Sequence, residues 1–260
     1  MVQVLPPGPM IGFVGVLGLL GVLHRALGLG LHGWAVGLVC GVALATLLAR
    51  GLARAGRRSL LPADRVTLTR AVLACGVAAL TADAAAGRAE SVAVLVALSS
   101  VAISLDAVDG RVARRTGTVS ALGARFDMET DAFLILVLSV HVSRDLGWWV
   151  LGIGLARYVL LGVGVAGRWA PWLRAQVPAR RWRKLVAAYQ GVVLTAASGQ
   201  VLPDAVATVA VAAGLALLVI SFGTEVATLR LQSVHGQRDT TGAYAVPPVP
   251  LDGAVSGATS

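Results

Sequence analysis

Charge is scarce in this sequence: only 13% of its 260 residues are Asp, Glu, Lys or Arg, against about 25% in a typical soluble domain. With 57% hydrophobic residues and a mean hydropathy of +0.79, a water-soluble fold is excluded, and an all-α, polytopic membrane helical bundle is expected. Lysine is nearly missing, Lys184 being the only one. The net charge of +9 therefore comes from arginine, placed in short clusters between apolar runs and not along one amphipathic face. That placement speaks against a nucleic-acid partner and for membrane orientation. Cysteine is limited to Cys40 and Cys75, in separate apolar runs without metal-type spacing, so both read as small buried hydrophobes. The opening MVQVLPPGPM has no basic side chain ahead of the first apolar run, which argues against a cleaved signal peptide and for retention of that run as a membrane helix.

Apolar runs over residues 10–30 and 33–49 read as an N-terminal helical hairpin, with Gly12, Gly15, Gly18 and Gly21 at a spacing of three that allows close helix approach. The segment ARGLARAGRRSLLPADR then gathers Arg50, Arg54, Arg57, Arg58 and Arg65, and Pro62 with Asp64 marks a break before a new helix. Further spans are expected at 67–86, 91–113, 120–142, 146–165, 185–202 and 205–229. The expected division is a hairpin with basic linker (1–58), a six-helix membrane domain (59–232) and a disordered Gly/Pro/Ser/Thr-rich tail (233–260).

Within this apolar chain, DAVDGRVARRTGTVSALGARFDMETD (residues 106–131) carries four aspartates. Asp106 and Asp109 lie three apart on one helix, Asp127 and Asp131 four apart on the next, so each helix offers a carboxylate pair. Such pairs repel, increasingly so as water is excluded, and require a positive partner. Hard oxygen donors suit Mg²⁺ or Mn²⁺; zinc is disfavoured because the stretch holds no Cys or His.

The stretch resembles the CDP-alcohol phosphatidyltransferase signature D-x2-D-G-x2-A-R-x8-G-x3-D-x3-D at every fixed position: Asp106, Asp109, Gly110, Ala113, Arg114, Gly123, Asp127 and Asp131. The resemblance implies a six-helix catalytic core, to which the hairpin is an addition. It also implies two Mg²⁺ or Mn²⁺ ions held by Asp106, Asp109, Asp127 and Asp131, with Asp131 as general base and CMP as leaving group. Gly110, Ala113, Arg114 and Gly123 would line the nucleotide pocket. Asp64 and Thr67 resemble the family's N-x-x-T segment with Asp in place of Asn, so Asp64 reads either as a nucleotide contact or as a helix cap; Ser120 has the same two readings. Arg157, in the middle of an apolar run, is assigned to the acceptor pocket or to a structural carboxylate or carbonyl partner. Lys184 opens K-L-V-A-A-Y-Q, similar to a K-x5-Q segment of phosphatidylglycerophosphate and cardiolipin synthases, although Arg183 replaces the usual Gly and Ala187 the usual Thr.

The expected activity is phosphatidyl transfer from CDP-diacylglycerol to an alcohol in the cell membrane, with membrane lipids as surroundings; a homodimer is compatible with the resemblance. Two other readings stand beside it. One is transfer from a soluble CDP-alcohol onto diacylglycerol. The other is a cation transporter using the intramembrane aspartates, which would not require Gly110, Ala113, Arg114 or Gly123.

Basic residues concentrate at 50–65, 111–115 and 168–184, whereas the alternate loops offer little beyond Arg25, Arg88 and Arg144. By the positive-inside rule both chain ends and the aspartate stretch face the cytoplasm. A topology reporter inserted between Gly167 and Arg181, or fused after Ser260, should read cytoplasmic; a periplasmic signal from either would overturn this orientation.

Overall fold

Apolar runs without interior proline satisfy their backbone as helices, the only open-ended element that spares a membrane unpaired N–H and C=O groups. A computed structural model of the chain describes residues 7–89, 91–117, 120–166, 181–221 and 223; for Asp109, Ala113, Arg114, Thr116 and Arg181–Lys184, among others, only the helical backbone is described. Regular structure among these residues is all helical, with no strand. The helices are α1 (Pro7–Leu27), α2 (Leu31–Arg54), α3 (Pro62–Ala85), α4 (Val92–Thr116), α5 (Ala121–Leu146), α6 (Leu151–Ala166) and α7 (Arg181–Ser198). A further helix, α8, covers Asp204–Ser221. A 3-10 turn, Trp148–Val150, leads into α6.

Five of these helices, α1 to α4 and α8, are long and apolar enough to cross a membrane, fewer than the eight spans the hydropathy pattern suggests. Two of the three others have a compositional reason: α5 carries Arg125, Asp127, Glu129 and Asp131 in its first half, and α7 opens on Arg181, Arg183 and Lys184, leaving Leu185–Ser198 as its apolar part; the third, α6, is described only as far as Ala166. The ends follow local chemistry. Pro62 stands at the first position of α3, where its missing N–H costs nothing, and the Ser120 hydroxyl caps α5 by accepting from Gly123 N at 3.0 Å. The 168–180 part of the basic loop, the end of the expected 205–229 span beyond residue 223, and the 233–260 tail lie outside the described residues.

Helix α3 is the spine of the bundle. It packs against α1, α2, α4 and α5 and is buried along most of its length, with Ala71, Ala74, Cys75, Gly76, Ala78 and Ala79 in the interior. Small side chains there let four neighbours come close, which matters in lipid because packing, not hydrophobicity, drives helix association. Of the α1 glycines, Gly12 meets Leu68 and Gly15 meets Val72 of α3, whereas Gly18 and Gly21 face open space. Closer still is Gly154 of α6, where an added Cβ would lie 2.7 Å from the Leu136 Cα. Cys75 is buried and Cys40 half-buried, both as free thiols.

The hairpin is fastened at the membrane face opposite the motif. Asp83, near the end of α3, accepts from Gly30 N at 2.5 Å and Gly33 N at 2.8 Å, satisfying two donors at the start of α2. Arg88 lies 3.5 Å from the same carboxylate and donates to Gly28 O at 2.8 Å. Asp83→Ala strands two backbone donors and should destabilise the protein by about 1–3 kcal/mol, with Asp83→Asn intermediate. Thermal unfolding in detergent measures this, and an unshifted midpoint in Asp83→Ala would rule out the fastening role.

Candidate active site

Helices α3 and α5 run parallel and α4 antiparallel to them, so the beginnings of α3 and α5 meet the end of α4 at one face. Arg70 stands eight residues into α3, and Asp106, Asp127 and Asp131 stand at similar depths in α4 and α5. At 1.5 Å per residue this is roughly 10–15 Å along each helix. One carboxylate oxygen from each of Asp106, Asp127 and Asp131 lies within 4.8 Å of the others. All three residues are half-buried. Asp109 shares the α4 helix with Asp106, but its side chain is outside the described set.

Arg70 is the positive partner this cluster needs. Its side chain is 2% exposed, with Nη1 3.2 Å from Asp106 Oδ1. The same guanidinium pairs with Asp127 through Nη1 and with Asp131 through Nη2. Its Nε donates to Ala102 O at 3.1 Å, which fixes the plane of the fork. Three carboxylates against one guanidinium leave a formal excess of two negative charges in the described cluster. The donors are hard oxygens, close together and only half-buried. They therefore fit a divalent oxygen-seeking cation of the Mg²⁺ or Mn²⁺ kind and do not fit a soft one.

A second group adjoins the first. Asp64, 2% exposed, reaches back to accept from Leu61 N at 3.0 Å and lies 3.4 Å from Arg57 Nη2. Arg57 Nη1 in turn donates to Ser120 Oγ at 3.4 Å. Gly123 is required here: an added Cβ would overlap the Asp64 carboxylate and stand 3.1 Å from Ser120 Oγ. The capping readings of Asp64 and Ser120 are thus both present in the structure. Thr67, one turn before Arg70, is buried and donates to Ala63 O at 3.3 Å. Gly110 is half-buried one turn beyond Asp106. The side chains of Ala113 and Arg114 lie outside the described set.

Arg157 is not brought to the aspartates. Its Nη2 donates to Glu129 Oε1 at 2.8 Å, and Glu129 is about 200° around α5 from Asp127 and Asp131. Arg157 thus has a carboxylate partner in Glu129, and its buried Nε has no hydrogen-bond partner among the described residues. The Lys184 side chain lies outside the described set, and Gln190, at the other end of K-x5-Q, is buried with Nε2 3.4 Å from Gly214 O of α8.

Three residues escaped sequence reasoning: Arg70, Arg57 and Glu129. A signal existed for Arg70, since TLTRAVLA places a cation inside an expected span, the same cue that singled out Arg157. Arg57 had none, being one of five arginines in a basic linker. The family model described as CDP-alcohol phosphatidyltransferase matches residues 60–221, well over half the chain. No curated protein and no solved structure matches.

Arg70→Gln removes the counter-charge and should destabilise the metal-free protein by roughly 1.5–3 kcal/mol, the worth of charge-assisted hydrogen bonds, and not by the larger penalty of a fully buried pair, because the aspartates are partly exposed. Added Mn²⁺ should recover more of the melting temperature in Arg70→Gln than in the parent. Equal melting with EDTA would show that Arg70 is not the counter-charge.

Proposed function

The chain belongs to the CDP-alcohol phosphatidyltransferase family, and from that premise we propose that it moves a phosphatidyl group from CDP-diacylglycerol to a small alcohol, releasing CMP, in phospholipid synthesis. The observation that carries the reading is the convergence of Asp106, Asp127 and Asp131 from two helices around one half-buried point. Asp106, Asp109, Asp127 and Asp131 would hold two divalent cations, whose contribution when bound is to neutralise the donor diphosphate and polarise its phosphorus.

The chain's own residues supply the rest. Asp131 accepts the proton of the acceptor hydroxyl as its oxygen bonds to the phosphatidyl phosphorus; the bond from that phosphorus to the bridging oxygen breaks, and the bridging oxygen leaves with CMP. Asp64, Thr67, Gly110, Ala113, Arg114, Ser120 and Gly123 shape the nucleotide pocket, the glycines allowing backbone approach and Arg114 forking onto phosphate. Lys184 and Arg157 serve the acceptor, and the K-x5-Q resemblance favours glycerol phosphate or phosphatidylglycerol as that acceptor. The hairpin (1–58) precedes a catalytic domain over 59–232, and the site faces the cytoplasm of the cell membrane. A cation path is disfavoured because it would not require Gly110, Ala113, Arg114 or Gly123, whereas a nucleotide pocket does, and Gly123 is fitted closely against the Asp64 carboxylate.

Purified protein supplied with CDP-diacylglycerol, Mn²⁺ and a panel of alcohols should release CMP, and excess EDTA should abolish the release. Asp131→Asn should retain Mn²⁺-dependent CDP binding while turnover falls by about 10²- to 10⁴-fold, the usual contribution of a general base. Asp106→Asn should weaken the CDP binding itself. Undiminished turnover in EDTA, or near-normal turnover in Asp131→Asn, would overturn the corresponding role.

A further inference from the structure

The family match begins at residue 60, yet a residue ahead of it reaches the nucleotide end of the site. Arg57 belongs to the linker between α2 and α3 and bridges Asp64 and Ser120, at 3.4 Å from each. Asp64 is 3% exposed at its side chain, while Arg57 keeps 25% of its side chain accessible. Arg57 is the cation that pairs with Asp64 among the described residues. The same piece of chain packs beneath the site. Leu52 of α2 and Leu60 of the linker share a small apolar cluster with Leu122 and Phe126 of α5, the residues just before Gly123 and Asp127. An added Cβ on Gly51 would lie 2.8 Å from Leu122 Cδ1. The start of α5 is thus held by the hairpin through an apolar contact on one side and a charge bridge on the other.

We infer that the N-terminal hairpin is a working part of the site, with Arg57 a positioning residue that neutralises Asp64 and so holds Ser120 and Gly123 ready for the nucleotide. The inference rests on the nucleotide reading of Asp64, Ser120 and Gly123. A buried carboxylate left without its cation is costly and repels an incoming diphosphate, whereas removing both charges together is close to neutral. Asparagine at position 64 would still accept from Leu61 N, so the need for Arg57 exists only because position 64 is Asp.

This makes the two positions a double-mutant cycle in the full-length protein, read by Mn²⁺-dependent CDP affinity and by KM and kcat for CMP release from CDP-diacylglycerol. Arg57→Gln should weaken CDP binding and raise KM about tenfold with kcat held within about threefold, since the chemistry of Asp131 is untouched. Asp64→Asn supplies the background on which the loss of Arg57 is measured again, whatever its own effect on CDP affinity. On the Asp64→Asn background Arg57→Gln should change CDP affinity and KM by no more than about threefold, against about tenfold on the parent background. A clamp serving stability alone would lower the melting temperature and kcat without this split. Should Arg57→Gln fail to fold, the double variant carries the test: it should fold and bind CDP within about threefold of Asp64→Asn, and a folded double variant well below Asp64→Asn in CDP affinity would overturn the positioning role. Parent-like affinity in Arg57→Gln, or additive losses in the double variant, would overturn the inference and leave the transferase reading standing. Failure of the parent to bind CDP with Mn²⁺ would overturn both.

Discussion

Three carboxylates inside a helical bundle cannot share one point without a positive charge among them, and Arg70 provides it from α3, the helix against which α1, α2, α4 and α5 all pack. Leaving a lone arginine at the centre of a membrane helix costs about 2.5–3.5 kcal/mol on insertion scales. That cost is offset only if α4 and α5 both present carboxylates at its depth, which they do through Asp106, Asp127 and Asp131. The register of the three helices is thereby tied to a single side chain. The small residues of α3 make the arrangement possible sterically, since they let α4 and α5 approach closely enough for the guanidinium to span both.

What the sequence made legible was everything that depends on spacing along one helix. The pairs Asp106/Asp109 and Asp127/Asp131 fall on single helical faces, Pro62 and Ser120 mark helix starts, and the apolar runs mark helices to within a few residues. What it hid was everything that depends on one helix facing another. Arg57, Arg70 and Glu129 find their partners across 7, 36 to 61 and 28 residues of chain, and no local pattern specifies those pairings. Gly123 shows the same divide from the other side. Its place in the motif was plain, but that Asp64 occupies the space of its missing side chain could be known only once α3 and α5 were set side by side.

The hairpin was legible as two helices and not as a participant. Its fastenings are polar and lie at opposite ends: Asp83 and Arg88 hold the α1–α2 turn, and Arg57 holds the α2–α3 linker. Arg57 lies in the basic linker that follows the membrane's orientation rule, so in the sequence its charge read as topology alone, and Asp83 and Arg88 carried no local sign of their partners. Between the fastenings the contact is apolar and small-sided, with Gly12 and Gly15 of α1 against Leu68 and Val72 of α3.

The two arginines of the site differ in a way that matches their neighbourhoods. Arg70 is 2% exposed and bonded both to carboxylates and to the Ala102 carbonyl, so its fork has little freedom to turn. Arg57 is a quarter exposed and meets both Asp64 and Ser120 at 3.4 Å, long for charge-assisted contacts, which are strongest near 2.7–2.9 Å. Loose contacts to two groups cost little to rearrange. The floor of the site must keep its carboxylates together with or without a ligand, and a fixed, buried cation does that. The rim must admit a polar substrate carrying its own negative charge, and an arginine that can lengthen one contact while shortening another leaves room for it. A rigid cation below and an adjustable one at the edge is the distribution of charge that a site handling a diphosphate needs.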